Sequence, residues 1–502
     1  MIMEQELKAL IPKSILKSRT MSAADAAEYI QDGMTIGMSG FTRAGEPKAV
    51  PLALSAQRKN QSFKINVITG ASLGSDIDRV LAEHDLIFKR IPYQADPVMR
   101  DKINRRTIHY IDQHLSHTAE WIRDGIVPPI DIAIIEALTI TPDGLIIPTT
   151  SVGNTPVIAT HAEKIIVEIN AAQPGALYGL HDIYEPQKRP GREPIPLMHP
   201  YDRIGTLGIQ VDPNKIMAVV FTDMLDSPSP ITPPDTATEQ MAEHILNFLR
   251  HEVRTGRLDQ QLAPLQAGIG SIANAVLYGL KGSEFRDLTV YSEVLQDAMF
   301  DLLEAGTVSI ASASAITLTE EKMKEAWLKL DRYRERLILR PQEISNHPEI
   351  IRRLGNISIN AAMEIDLYGN VNSTHQFGTH MMNGIGGSGD FARNARISIF
   401  VTKSTAKHGK ISRIVPFVSH VDHTEHDVDV VVTEYGYADL RGLSPGERAR
   451  RIIDLAHPDY RDELRAYVYE AESSPGHTPH VLHKAFAWYE RYEKSGSMKG
   501  II

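Results

Sequence analysis

A chain of 502 residues is too long for one ordinary hydrophobic core, so two or more domains are expected. Its 42% hydrophobic and 23% charged residues describe an ordinary globular protein, and a formal net charge of -10 argues against a general nucleic-acid-binding face while allowing a local pocket for an anionic cofactor. Cysteine is absent, which removes disulfides, thiolate nucleophiles and cysteine-based metal sites together.

The first residues, MIMEQELKALIPKSILKSRT, mix acids with bases, and no stretch is apolar for long enough to span a membrane. A cytoplasmic protein is therefore expected. Four short β-branched runs follow, alternating with helical patterns: FKINVITG (63–70), DIAIIEA (131–137), EKIIVEIN (163–170) and KIMAVVFTD (215–223). That alternation predicts an α/β fold with parallel-rich sheets flanked by helices. DSPSPITPPD (226–235) reads as a linker, which divides the chain into 1–228 and 229–502. Thr236 and Glu239 then match a capping box at the head of the helix TATEQMAEHILNFLRHEV. The same alternation resumes in LTVYSE, RISIFVTK, KISRIVPFV and DVDVVVTE, predicting a second α/β domain that turns mainly helical from about Ser444.

Ligands in open α/β sheets bind beyond the carboxyl ends of the strands, which directs attention to the strand-to-loop junctions. Three are rich in glycine: SGFTRAGEPK (39–48), GIGSIANAV (268–276) and NGIGGSGDF (383–391). The second fits a dinucleotide fingerprint through Gly268, Gly270 and Ala273, with an acid twenty residues on at Glu293. The preceding QLAPLQA counts against that reading, because it holds a proline and no β-branched strand to feed the turn. In the third, four glycines within six residues let backbone N–H groups approach a ligand.

His420, His423 and His426 lie among acids in SHVDHTEHD (419–427). Imidazoles spaced i, i+3, i+6 on a strand or loop do not converge on one point, so a hydrogen-bonded supporting loop is expected and no metal site. Glu293 stands between an apolar run and a helical pattern, where a carboxylate is ordinarily favoured by the helix N-terminus. Glu136, Glu168 and Glu434 end apolar runs too, so position alone does not single out a nucleophile.

Longer motifs decide between these readings. SGFTRAGEPKAVP, TGAS, PTTSVGN, GIGSIANAV, YSEVLQD, RPQEISNHPEIIRRLG, NGIGGSGDFARNA, GKISRIVPFVSHVDHTEHDV, TEYGYADLRGLSP and AHPDYR together resemble class I CoA-transferases of the acetyl-CoA hydrolase/transferase family. The likeness runs over nearly the whole chain and is greatest to the bacterial succinyl-CoA:acetate branch. The family's Ser-Glu-Asn-Gly form is absent, Val294 standing where its asparagine would be, which turns the reading away from the oxoacid branch.

This resemblance implies two CoA-transferase-type α/β domains, 1–228 and 229–502, the second carrying the catalytic glutamate, in a homodimer. It implies Glu293 as the nucleophile, reacting through an acyl-glutamyl anhydride and a glutamyl-CoA thioester in a ping-pong reaction. Backbone groups of Ile269, Gly270, Gly386 and Gly387 would hold the oxyanion and CoA. Asn346 and Glu434 would support the carboxylate site, and Lys407 would meet the CoA phosphates. Acyl-CoA and small carboxylates are the expected partners, with no tightly bound cofactor, no metal, no nucleic acid and no membrane. An acetyl-CoA hydrolase or a propionyl-CoA:succinate transferase would use the same glutamate. A non-enzymatic effector-binding protein is disfavoured, because the nucleophile motif is intact.

Overall fold

Runs that are apolar on both faces, such as Ile132–Ala137, form ladders only where both faces are covered, which is the setting of a parallel sheet. In the computed structural model, which describes residues 4–73, 76–229 and 234–500, seven strands, most of them of this kind, form one sheet. They are β1 (Thr35–Met38), β2 (Ile65–Ala71), β3 (Ile87–Tyr93), β4 (His109–Tyr110), β5 (Ile132–Ala137), β6 (Lys164–Asn170) and β7 (Ile216–Thr222). Their order is β7-β6-β5-β1-β2-β3-β4, and every neighbouring pair is parallel. Helices Ala23–Glu28, Ala49–Arg58 and Asp76–Glu83 cover one face. Their Ala26, Ala27, Val50, Leu54, Ile77 and Leu81 are buried with Ile36, Val67, Ile134, Ile166 and Val220 of the strands.

The chain groups into two compact units. The first takes the described residues up to 229, then Thr289–Glu304 and Val308–Leu354; the second takes 234–288, 305–307 and 355–500. The chain thus leaves the first unit in the proline-rich stretch where the boundary after residue 228 is expected, residues 230–233 of that stretch lying outside the described residues. It then re-enters the first unit, so the segment bearing Glu293 groups with the N-terminal part. Short ladders account for this return: Val294–Leu295 pairs with Ala315–Ile316, and single bridges join Ser151 to Ala315 and Gly153 to Pro341.

In the second unit, strands Leu265–Ala267, Ile357–Ala361, Ile397–Val401, Val430–Thr433 and Gly436–Asp439 are neighbours in that order. All pair in parallel except the last, which is antiparallel. The first of them corrects the sequence reading, because QLAPLQA does contain a strand. Pro264 costs nothing there: it precedes the ladder, and its carbonyl accepts from Ile357 N at 2.9 Å. The capping box is corrected as well. Asp235, not Thr236, is the N-cap of helix Thr236–Arg254, accepting from Thr238 N at 3.0 Å while the Thr238 hydroxyl receives Asp235 N at 2.8 Å. A carboxylate one residue earlier outcompetes the threonine hydroxyl because it also meets the helix dipole and the Lys403 ammonium. Beyond Ser444 the chain is mainly helical, through Pro445–Ile453, Pro458–Ala471 and Ala487–Ser495. Among the described residues no helix is long and apolar enough to cross a membrane.

Candidate active site

Strand Leu288–Tyr291 buries Leu288, Val290 and Tyr291 and then stops. The chain turns through Ser292 and Glu293 before resuming as Val294–Leu295. The turn is pinned by its own backbone, since the Glu293 carbonyl accepts from Ser314 N at 2.9 Å and from Ala315 N at 3.2 Å. The next helix begins only at Asp297, which occupies its first turn. Glu293 therefore does not serve as a helix N-terminal acid.

The Glu293 side chain is half-buried, and Asn346 Nδ2 donates to its Oε1 at 2.8 Å. Burial pushes the carboxyl up to about 7 against the pull of that hydrogen bond, and no cation among the described residues opposes the shift. The phenol of Tyr93 lies within electrostatic reach of it, at the end of β3. Tyr93 packs against a small apolar group of Phe41, Ala44, Ala71, Leu115, Val294 and Ala315. Asn346 itself is fully buried, and its Oδ1 has no hydrogen-bond partner among the described residues. A carboxylate lacking a counter-ion and held by one amide has the character of a nucleophile rather than of a structural ion.

The other strand-end glutamates have structural employment. Glu136 and Glu168 sit opposite each other on β5 and β6. Glu168 accepts from the backbone N–H groups of Lys48, Ala49 and Val50 at 2.7, 3.0 and 2.7 Å, capping helix Ala49–Arg58. Glu136 meets the Lys48 ammonium, which also reaches Asp226 at 2.9 Å. Burial opposes the Lys48 charge, yet Asp226, Glu136 and Glu46 outweigh it and push its pKa up. Glu434, in the second unit, accepts from Ser404 N at 2.8 Å and from Ser404 Oγ at 2.5 Å, while its carbonyl accepts from His244 Nε2 at 3.3 Å.

The remaining residues singled out from the sequence also lie in the second unit. Gly268 N donates to Ile359 O at 2.9 Å at the end of its strand. Gly270 has φ +122, a backbone that side chains rarely adopt, and it caps helix Ser271–Lys281. Ile269 between them is 39% exposed. Gly386 has φ 62, and Gly387 caps helix Ser388–Asn394. Lys407 Nζ donates to Tyr492 Oη at 2.7 Å and lies over the same ring.

The histidine run is a support, as its spacing suggests. Asp422 accepts from Ser373 N at 2.6 Å and from Thr374 Oγ1 at 2.8 Å, and His423 Nε2 lies 3.1 Å from Ser388 Oγ, at the head of the glycine-loop helix. Among the described residues no group of three or more His, Cys, Asp or Glu could hold a metal ion.

Sequence reasoning missed the residues that hold Asn346 in place. Gln342 and Glu343 belong to the quoted RPQEISNHPEIIRRLG motif, but their partners Leu115 and Arg123 are 227 and 220 residues away, a separation no local pattern reveals.

Comparison with known proteins places the chain in a family. Residues 12–221 match the acetyl-CoA hydrolase/transferase N-terminal domain, and residues 321–468 match the C-terminal domain of that family. A succinyl-CoA:acetate CoA-transferase from Clostridium kluyveri is 50% identical over 488 residues, covering 96% of this chain and 91% of its own. A propanoyl-CoA:succinate CoA transferase from Escherichia coli is 44% identical, covering 96% and 99%. An acetyl-CoA hydrolase from Saccharomyces cerevisiae is 43% identical, covering 96% and 95%. Among solved structures, RipA from Yersinia pestis superposes with a TM-score of 0.73 at 24% identity, covering 92% of this chain and 99% of its own. A 4-hydroxybutyrate CoA-transferase from Porphyromonas gingivalis gives 0.64 at 23%, covering 91% and 99%; both likenesses speak to the fold alone. With both family domains matched in order along the chain, this protein is an enzyme of the acetyl-CoA hydrolase/transferase family.

Proposed function

We propose that this enzyme is a CoA-transferase that moves CoA between succinyl-CoA and acetate, using Glu293 as its nucleophile. The single observation that carries the reading is the Glu293 carboxylate itself: half-buried and, among the described residues, without a counter-ion and hydrogen-bonded through its side chain to Asn346 alone. The Glu293 carboxylate attacks the thioester carbonyl of acetyl-CoA, and the carbon–sulfur bond breaks to give an acetyl-glutamyl anhydride and CoA thiolate. The thiolate attacks the glutamyl carbonyl, releasing acetate and leaving a glutamyl-CoA thioester. Succinate then attacks that carbonyl and expels the thiolate, forming a succinyl-glutamyl anhydride. Attack of the thiolate on the succinyl carbonyl frees succinyl-CoA and restores the carboxylate. No thioester is lost to water, so the reaction is close to thermoneutral.

Carboxylate is a weak nucleophile, so binding energy from the non-reacting parts of CoA is needed to hold the thioester against Glu293. Each tetrahedral intermediate also carries an oxyanion, for which the backbone N–H groups of Ile269 and Gly387 are the assigned donors. One such donor is worth about 2.7–4 kcal/mol. The backbone of Gly270 and Gly386 is assigned with them to holding the oxyanion and CoA, Glu434 to supporting the carboxylate site and Lys407 to the CoA phosphates. The proposal includes a homodimer and a cytoplasmic location.

A second reading, acetyl-CoA hydrolysis, is favoured by the name of the Saccharomyces cerevisiae relative. One assay separates the two: acetyl-CoA is supplied with and without succinate while acyl-CoAs and free thiol are followed. The protein adds no thiol background, since it contains no cysteine. Succinyl-CoA forming much faster than free CoA agrees with transfer. Free CoA released regardless of succinate overturns it in favour of hydrolysis.

A further inference from the structure

Asn346 follows a helix of a single turn, Gln342–Ser345. One turn does not hold itself together in water, so its position is set by what grips it. Tyr291 Oη donates to the Ile344 carbonyl, and Gln342 N donates to the Gly153 carbonyl at 2.8 Å. The other two grips come from opposite ends of one helix, Leu115–Arg123. At its first residue, the Leu115 carbonyl accepts from Gln342 Nε2 at 2.8 Å. At its last, Arg123 Nη2 meets Glu343 Oε1 at 2.7 Å, with the two side chains only 9% and 3% exposed.

An ion pair so deep is a poor way to gain stability, because desolvating both charges consumes most of their attraction and apolar side chains of equal volume would do as well. Its advantage is direction, since a guanidinium and a carboxylate lock at one angle. Burial pushes Glu343 up to about 7 against the pull of Arg123, with Glu185 and Glu120 pushing the same way as burial. Glu120 is already paired with Arg189 and Arg192. Arg123 is thereby left to serve Glu343, three residues before Asn346.

We propose that the Arg123–Glu343 pair is a positioning device that fixes the Asn346 amide where it donates to Glu293. This rests on Glu293 being the nucleophile and adds residues that touch no substrate. Without the pair, the grips left on the one-turn helix are hydrogen bonds to the Gly153 and Leu115 carbonyls and from the Tyr291 hydroxyl. The amide then spends less time on Glu293, whose carboxylate loses that stabilising hydrogen bond.

The test compares Glu343→Gln, Arg123→Lys and Asn346→Ala, with Glu293→Ala as control, by the pH dependence of kcat/KM for acetyl-CoA and by thermal unfolding. Glu343→Gln and Arg123→Lys are each expected to lower kcat by about tenfold, the effect of one weakened hydrogen bond to a charged group, with little change in KM. Both should shift the acid limb of the profile to higher pH, as is expected of Asn346→Ala, because the Asn346 hydrogen bond lowers the Glu293 pKa. Adding Glu343→Gln to Asn346→Ala should change the rate little further, because both act through one hydrogen bond. Lowered stability with an unmoved acid limb, or fully additive losses in the double variant, overturns the proposal. If Glu343→Gln does not fold, Arg123→Lys gives the same two readouts and decides alone. Activity surviving in Glu293→Ala would instead refute the nucleophile, a failure distinct from that of the clamp.

Discussion

Replacing Glu293 by glutamine should make the protein more stable at pH 8, although it removes the proposed catalytic group. The glutamine keeps the volume and an oxygen for Asn346 Nδ2, so only the charge is lost. In the folded protein the carboxyl is raised from 4.5 to about 7 by burial. The native state therefore holds this proton more tightly than the unfolded chain does. Below pH 4.5 the group is neutral in both states and costs nothing; as pH rises from 4.5 to about 7 the native state loses stability, and above that the loss is constant. Each pH unit that separates the folded from the unfolded pKa is worth about 1.36 kcal/mol, so the ceiling is about 3 kcal/mol, and partial exposure of the carboxylate reduces it to about half. Thermal unfolding of both proteins from pH 4 to 8 reads this directly. The melting temperature of Glu293→Gln should exceed that of the parent by about 2 °C at pH 8, the gap closing toward pH 4. A variant equal to or less stable than the parent at pH 8 would refute the claim that the carboxylate is held without a compensating charge.

Three further outcomes follow from the same geometry. Because the ionised carboxylate is the reactive form, kcat/KM for acetyl-CoA should rise with pH to a plateau above about 7, and an acid limb near the ordinary carboxylate value of 4.5 would contradict the assignment. Lys48→Met strands Glu136 and Asp226 in the first unit without their cation, and urea denaturation should show a loss of about 3–5 kcal/mol; a loss below about 1 kcal/mol would mean that the ammonium is not their counter-ion. Asp235→Ala removes the cap of helix Thr236–Arg254 and should cost about 0.5–2 kcal/mol in thermal unfolding, largely restored in Asp235→Ser; an equal cost for both would place the effect in the exposed Lys403 pair instead.

The parallel strands were legible because their runs are apolar on both faces, a pattern that leaves few alternatives to a covered sheet. Leu265–Ala267 was not, since three residues carry no period and the ladder partner lies some ninety residues on, at Ile357–Ala361. The cap differs by one residue from its reading in the sequence, because Asp235 and Thr236 both suit an N-cap and only the backbone tells which of them sits outside the helix. Four glutamates at strand ends were indistinguishable by spacing. What separates them is three-dimensional: Glu136 has Lys48, Glu168 has three backbone N–H groups, Glu434 has Ser404, and Glu293 has one amide. Motif resemblance pointed to Glu293 and Asn346 without these contacts, but it could not reach Arg123, which stands in no motif and is joined to one only through Glu343.

The central claim is that CoA becomes covalently attached to Glu293 during turnover. The most direct test is mass spectrometry of the protein quenched in acid after incubation with acetyl-CoA, followed by digestion. The peptide containing Glu293 should carry the mass of CoA less water, the label should vanish on addition of acetate or succinate, and Glu293→Ala should carry none. Turnover without any adduct, or an adduct on another residue, would contradict the account.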